Sequence, residues 1–177
     1  MKFNRTLVAT FIGTALSVAT LSGCTSSEPS QNTAVPASYN KAVMNSVVKS
    51  QNDNRAYRYV TLENGLKVIL VSDGKADKAA ASMDVHIGHM ADPKDREGLT
   101  HFLEHMLFLG TDKYPKVGEY SEYLKANGGW SNAGTGQEHT NYFFQVNQDA
   151  FEEATDRFAQ FFISPSLDKE YVDREKN

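Results

Sequence analysis

The chain has 177 residues, of which 40% are hydrophobic, and this is enough for one packed domain. A formal net charge of −4 and the lack of any basic run argue against a nucleic-acid partner. The single cysteine, Cys24, excludes an internal disulfide.

The first 23 residues have the pattern of an export signal. Lys2 and Arg5 give a positive start, and residues 7–21 are uncharged and mostly apolar. This stretch is short for a membrane-spanning helix, which needs roughly 20 residues. The tetrapeptide Leu21-Ser22-Gly23-Cys24 resembles the bacterial lipoprotein processing box, in which cleavage precedes the cysteine and the cysteine carries the lipid. We therefore predict a signal peptide over 1–23 and lipidation of Cys24, with a plain signal peptide as the alternative.

The residue after the cysteine bears on localisation. It is Thr25, whereas an aspartate there is the usual inner-membrane retention signal. We therefore expect an outer-membrane lipoprotein on the periplasmic face, attached through Cys24, and the alternative is a soluble periplasmic protein. Residues 24–55 are rich in Ser, Asn and Gln, with prolines at 29 and 36, and this composition predicts a flexible tether.

Three strands are predicted next. Tyr57–Leu62 and Leu66–Val71 are β-prone runs joined by Glu63-Asn64-Gly65, and Asn-Gly is a strong hairpin signal. A third strand is predicted over Ala79–Ile87, where small or apolar residues alternate with a more polar set.

Helices dominate the rest of the chain. They are predicted over Gly98–Leu109, over Glu119–Asn127 before a Gly-Gly pair, after Asp149, and in a charged stretch from about Asp168. A strand is predicted over Tyr142–Val146. The helix after Asp149 places four residues on one stripe and is therefore expected to bury them: Phe151, Ala154, Phe158 and Phe161. This order of elements predicts an α+β fold, a sheet with helices packed on it.

The helix over Gly98–Leu109 carries the titratable groups that matter most. At 100° per residue, His101, Glu104 and His105 share one stripe about 100° wide. The opposite side is apolar and is expected to face the core: Leu99, Phe102, Leu103 and Met106. Because His101 and His105 are one turn apart, both imidazoles can hold a single ion.

This residue set fits zinc hydrolysis. Zinc prefers imidazole nitrogen, and a catalytic site leaves one position open for water. A carboxylate beside the metal, here Glu104, can take a proton from that water and pass it to a leaving amine. The alternative is that these groups form an ordinary solvated helix face.

The motif and its surroundings resemble one family. His101-Phe102-Leu103-Glu104-His105 is the inverted zinc motif His-x-x-Glu-His. Together with segments such as Asp84–Gly88, Lys113–Pro115, Glu138–Tyr142 and Asp156–Phe162, it is similar to the pitrilysin/insulinase family of metallopeptidases. The likeness runs from about Tyr57 to Asn177, so we predict that 56–177 is part of a peptidase N-terminal domain.

The resemblance implies an activity and a set of roles. It implies a zinc-dependent metalloendopeptidase with Zn²⁺ as cofactor, peptides as substrates, His101 and His105 as ligands, and Glu104 as general base. It also implies further lobes in the full-length protein and a substrate that adds as a strand beside Asn132 and Ala133. The competing interpretation of the stretch 131–135 is a mobile loop.

One ligand of the family is not found in the chain. The third ligand in the family is a glutamate that would fall at position 182, and Glu175 matches an accessory acidic position one helical repeat earlier. We expect Glu175 to face away from the histidines. The chain is therefore expected to be a fragment with weak metal binding, and the alternative function is a catalytically inactive lobe that binds peptides or a partner.

The three remaining histidines have less specific expectations. His86 shares a strand face with Asp84 and is expected to be structural. His89 is expected to be solvated in a loop. His139 is expected either to pack or to lie at the edge of the site.

Overall fold

The computed structural model describes residues 48–175. The predicted signal peptide, Cys24 and residues 24–47 of the predicted tether lie outside this range. The described residues belong to two compact units that divide between Ala76 and Asp77. Within residues 48–175, no helix has the length and apolar character needed to cross a membrane.

The first unit contains a β-hairpin. Strand β1 (Ala56–Thr61) pairs antiparallel with β2 (Lys67–Ser72). The predicted Asn-Gly turn joins them: Gly65 has a φ of 85°, and the Asn64 side chain accepts a hydrogen bond from the Leu66 amide at 3.0 Å. A positive φ at this position favours glycine, and the predicted hairpin is confirmed.

The second unit is built on a three-stranded antiparallel sheet. Its strands are β3 (Lys78–Val85), β4 (Trp130–Thr135) and β5 (Thr140–Asn147), in the order β3-β5-β4. The interpretation of residues 131–135 as a mobile loop is wrong, because they belong to β4 and pair with β5. Of the described strands, β4 therefore forms one edge of this sheet.

The described residues form four α-helices, each in a region where the sequence predicted one. They are α1 (Leu99–Leu107), α2 (Glu119–Ala126), α3 (Phe151–Ile163) and α4 (Lys169–Glu175). Helix α2 ends at glycine as expected, since Gly128 has a φ of 67°. A 3-10 turn precedes α3, and no side chain of the described residues caps the start of this helix.

The core lies between one face of the sheet and the helices. All four residues of the predicted α3 stripe are buried, at 0 to 9% exposure. They pack against the inward side chains of β5 and against α2, and the cluster includes the following residues: Tyr120, Leu124, Tyr142, Phe144 and Val146. Edge-to-face ring contacts, such as Phe144 with Phe158 at 5.2 Å, add to the burial. The predicted α+β class is confirmed.

Helix α1 turns a different side to the core than the sequence suggested. Leu99 and Leu103 are 44% and 43% exposed, whereas Glu104 and Leu107 are only 7% and 6% exposed. On the helical wheel Glu104 and Leu107 lie close together, and this stripe packs toward the sheet. The predicted apolar face holds only for Met106, which is buried, and Phe102, which is half-buried.

Candidate metal centre

The start of α1 is fixed by a residue outside the motif. Asp92 accepts hydrogen bonds from the Gly98 and Thr100 amides, both at 2.8 Å, and from the Thr100 hydroxyl. The Thr100 hydroxyl and amide are the main reason that the pKa of Asp92 falls to about 2. Asp92 thus satisfies free amides at the helix start and sets the position of the next turn, which carries His101.

The loop before α1 packs on the β4–β5 turn. The amides of His89 and Met90 donate to the Gly136 and Gln137 carbonyls, both at 2.9 Å. Gly88 is buried there, and a Cβ at this position would lie 2.4 Å from the Gly136 oxygen. Only glycine permits this approach, so Gly88 keeps the loop, and through it the helix start, beside the sheet.

The two motif histidines converge. Nε2 of His101 and Nε2 of His105 are 3.1 Å apart, and the rings stand at 89° to each other. Two zinc–imidazole bonds of about 2.0–2.1 Å at a tetrahedral angle place the nitrogens about 3.3 Å apart, so the pair fits one zinc ion. Both histidines are exposed, which leaves the shared point accessible.

Glu104 completes the cluster from the buried side of the helix. Its carboxylate and one nitrogen from each histidine all lie within 4.8 Å of one another. The Thr135 hydroxyl at the end of β4 donates a hydrogen bond to Glu104 Oε2. Tyr142 is also nearby: its burial, and secondly the Glu104 charge, raise the pKa of Tyr142 to about 12. A buried carboxylate needs a hydrogen-bond partner, and here the sheet supplies one in Thr135.

Glu175 does not face away from the histidines as expected. Its Oε2 lies 3.1 Å from Nδ1 of His105, the ring nitrogen remote from His101. Because a carboxylate only accepts, Nδ1 of a neutral ring carries the proton and Nε2 keeps its lone pair. Glu175 thus acts on the orientation of His105, and it is not in the group of residues that converge on the common point.

The other histidines lie in the same region of the unit. The His89 ring stands 6.1 Å from that of His101, and its Nδ1 is 3.6 Å from Asp92, so it is half-buried and paired, not solvated as expected. His86 packs edge-on against His139 at 5.2 Å, and His139 approaches Asp84 at 3.4 Å.

The predicted substrate residues lie on the edge strand. Ala133 is half-buried on the helix-facing side of β4, and Asn132 is exposed on the other side. Their role in binding stays a prediction. Sequence reasoning missed Asp92, Gly88 and Thr135; an Asp shortly before a helical run was the available sign for Asp92, while Thr135 carried no sign at all.

An α+β unit with a His-x-x-Glu-His helix packed on an antiparallel sheet defines the class of inverted-motif metallopeptidase domains. Residues 67–177 match the family model "Insulinase (Peptidase family M16)". The chain belongs to this family.

Individual relatives agree with the family model. The chain is 53% identical to the insulin-degrading enzyme of Homo sapiens over 137 residues, covering 77% of this chain and 13% of that enzyme. It is 51% identical to the A-factor-processing enzyme of Saccharomyces cerevisiae over 130 residues, covering 73% and 13%. The structure resembles the crystal structure of pitrilysin, with a TM-score of 0.74 and 41% sequence identity, over 77% of this chain and 15% of the pitrilysin chain. The chain thus spans about 13% of the length of the curated relatives that it matches.

Proposed function

We propose that the second unit forms the metal-binding part of a zinc-dependent metalloendopeptidase. The observation that carries the proposal is the 3.1 Å approach of the His101 and His105 Nε2 atoms, with the Glu104 carboxylate beside them. Two nitrogen lone pairs at this distance repel unless a proton or a metal ion lies between them. Imidazole pairs of this kind favour zinc among the common hydrolytic metals.

Each residue of the cluster has a separate task in this proposal. Zinc, when bound, would supply Lewis-acid chemistry that polarises a peptide carbonyl and lowers the pKa of a water molecule. His101 and His105 would hold the ion, and Glu175 keeps the Nε2 atom of His105 free to bind it. Glu104 accepts a proton from the water and returns it to the amine of the cleaved peptide bond.

The edge strand β4 is the proposed substrate platform. A peptide that adds as a strand beside β4 would bind mainly through main-chain hydrogen bonds. It would therefore be extended, and few of its side chains would be recognised. Asn132 and Ala133 lie at this edge, and small residues along it let a second backbone approach. The proposed substrates are therefore unfolded peptides with loose sequence requirements.

The activity is tested by Glu104→Gln in the full-length gene product. The amide keeps the size of the side chain but cannot take a proton at neutral pH, so zinc content should stay unchanged and peptide turnover should fall by about 10²–10⁴-fold. Glu152→Gln on the exposed side of α3 is the matched control and should keep turnover. Wild-type turnover in Glu104→Gln rejects the proposed role. If the wild-type protein binds peptides without cleaving them, the alternative of an inactive binding lobe is correct.

The location of the protein is proposed from Cys24. We propose a lipid on this cysteine and attachment to the periplasmic face of the outer membrane, with further lobes of the full-length protein beside the described unit. Labelling with a fatty-acid analogue tests the anchor: Cys24→Ser should abolish the label. Label that persists in the variant contradicts lipidation at this site, and an unlabelled wild type supports the soluble periplasmic alternative.

A further inference from the structure

The general base of the proposed reaction is held by the substrate strand. Of the hydrogen bonds among the described residues, one reaches the Glu104 carboxylate, and its donor is the Thr135 hydroxyl. This bond joins Glu104 Oε2 on α1 to the last residue of β4. It leaves Oε1 without a hydrogen bond from the described residues, on a carboxylate that lies within 4.8 Å of both histidine nitrogens.

The position of Thr135 is itself well defined. Along β4 the side chains alternate, and Thr135 lies on the half-buried, helix-facing side with Ser131 and Ala133. It pairs with Thr140 of β5, which is buried and whose hydroxyl donates to the Ile87 carbonyl at 2.8 Å. A β-branched side chain has few χ1 rotamers, so a fixed backbone here also fixes the direction of the hydroxyl.

Glu104 needs such a partner more than most carboxylates. Its side chain has three rotatable bonds, and at 7% exposure it has little water to bind. Without the Thr135 hydroxyl, the carboxylate would have to seek water or one of the histidines. The bond therefore selects one orientation of the base out of several.

We infer that Thr135 is a positioning residue for Glu104, so that the strand proposed to bind the peptide also sets the orientation of the general base. The inference rests on the proposed function.

The kinetic test uses Thr135→Val and Thr135→Ser in the full-length gene product. Valine keeps the β-branched shape without the hydroxyl, so kcat should fall about tenfold or more, while KM changes less than about twofold. Serine keeps the hydroxyl and should restore most of kcat. Thr155→Val is the control, because the Thr155 hydroxyl on α3 donates a hydrogen bond to the Phe151 carbonyl and lies outside the site. Wild-type kcat in Thr135→Val, or equal losses in the valine and serine variants, overturns the inference.

A second measurement is independent of activity. In the metal-free chain at neutral pH, the ¹³C resonance of the Glu104 carboxyl group should shift in Thr135→Val. It should stay at its wild-type position in Thr135→Ser and in Thr155→Val. A resonance that is unchanged in Thr135→Val shows that the hydroxyl does not hold the carboxylate, and it contradicts the inference.

The failure of this inference and that of the proposed function can be told apart. If Glu104→Gln abolishes turnover but Thr135→Val behaves as wild type, Glu104 is the base and only the role of Thr135 is wrong. If Glu104→Gln retains turnover, the proposed function itself is wrong.

Discussion

At the residue scale, the two ring nitrogens of His105 have different partners. Nε2 faces His101 and Nδ1 faces the Glu175 carboxylate, each at 3.1 Å. A second partner of this kind fixes the tautomer and the tilt of a ligating imidazole. We therefore expect Glu175, which lies 70 residues away in sequence, to influence metal binding through His105 without being a ligand.

We expect Glu175→Gln to weaken zinc binding about tenfold, since partners of ligating histidines contribute about 10–100-fold to affinity. The amide can orient with its oxygen toward Nδ1, but it lacks the charge. Competition with a chromophoric chelator measures the affinity. Glu170→Gln on the same helix is the control, because Glu170 is exposed, and it should leave the affinity unchanged. Equal affinities for wild type and Glu175→Gln would refute this role.

Asp92 gives a prediction about stability and pH. Hydrogen bonds in the folded state lower its pKa from 3.8 to about 2, so the group stabilises the fold above the unfolded pKa. This contribution is lost as the pH falls from about 4 toward 2. Asp92→Ala should lower Tm by roughly 5 °C at pH 7, and the difference from wild type should shrink below about pH 4.

Thermal unfolding followed by circular dichroism at several pH values measures this effect. Asp95→Ala is the control, because the Asp95 side chain is 78% exposed, and its Tm should match the wild type throughout. A Tm difference for Asp92→Ala that is the same at pH 7 and pH 2.5 would show that the carboxylate charge is not the cause.

At the scale of elements, helix α1 contacts the edge strand β4 of the sheet. Helix α1 packs toward the sheet through Glu104 and Leu107, and the β4–β5 turn accepts hydrogen bonds from the loop before α1. The edge strand β4 thus contacts the site through Thr135, and the turn that follows it contacts the loop before α1 through Gly136. A substitution in β4 should therefore alter the metal-binding cluster as well as the edge of the sheet.

Ala133→Pro tests the substrate edge in the full-length gene product. Proline removes one backbone donor and restricts the chain, so KM for an extended peptide should rise about tenfold or more. Circular dichroism must show an intact fold. Asn132→Ala keeps the backbone donors and should change KM much less. Unchanged KM and turnover in a folded Ala133→Pro protein would exclude this edge as the platform.

The elements differ in how well the sequence predicted them. The α3 stripe and the hairpin had strong local patterns, a 3.6-residue period and an Asn-Gly turn, and both are confirmed. The middle of strand β4 is Ser-Asn-Ala-Gly, which has little β propensity, and it is a strand because β5 supplies its ladder. The buried side of α1 was predicted wrongly, since hydrophobicity favoured Leu99 and Leu103, while Thr135 allowed Glu104 to be buried instead.

At the scale of the molecule, the core and the site occupy different parts of the second unit. The aromatic core is built by β5, α2 and α3, whereas the residues that could hold a metal lie on α1. All five histidines of the chain belong to this unit, and ring contacts join His101 to both His89 and His105. The sequence identified the two histidines that converge, because a spacing of four on a helix is a local property; the sheet partners of the site depend on tertiary contacts.

We propose that His101 and His105 together hold one zinc ion. The zinc content of the purified full-length gene product, measured by mass spectrometry of the metal, tests this. We expect one zinc per chain in the wild type and its loss in His101→Ala and in His105→Ala. His86→Ala, which removes an exposed histidine outside the cluster, should keep the zinc. Retention of zinc in His101→Ala, or its loss in His86→Ala alone, would show that these two histidines do not hold the ion.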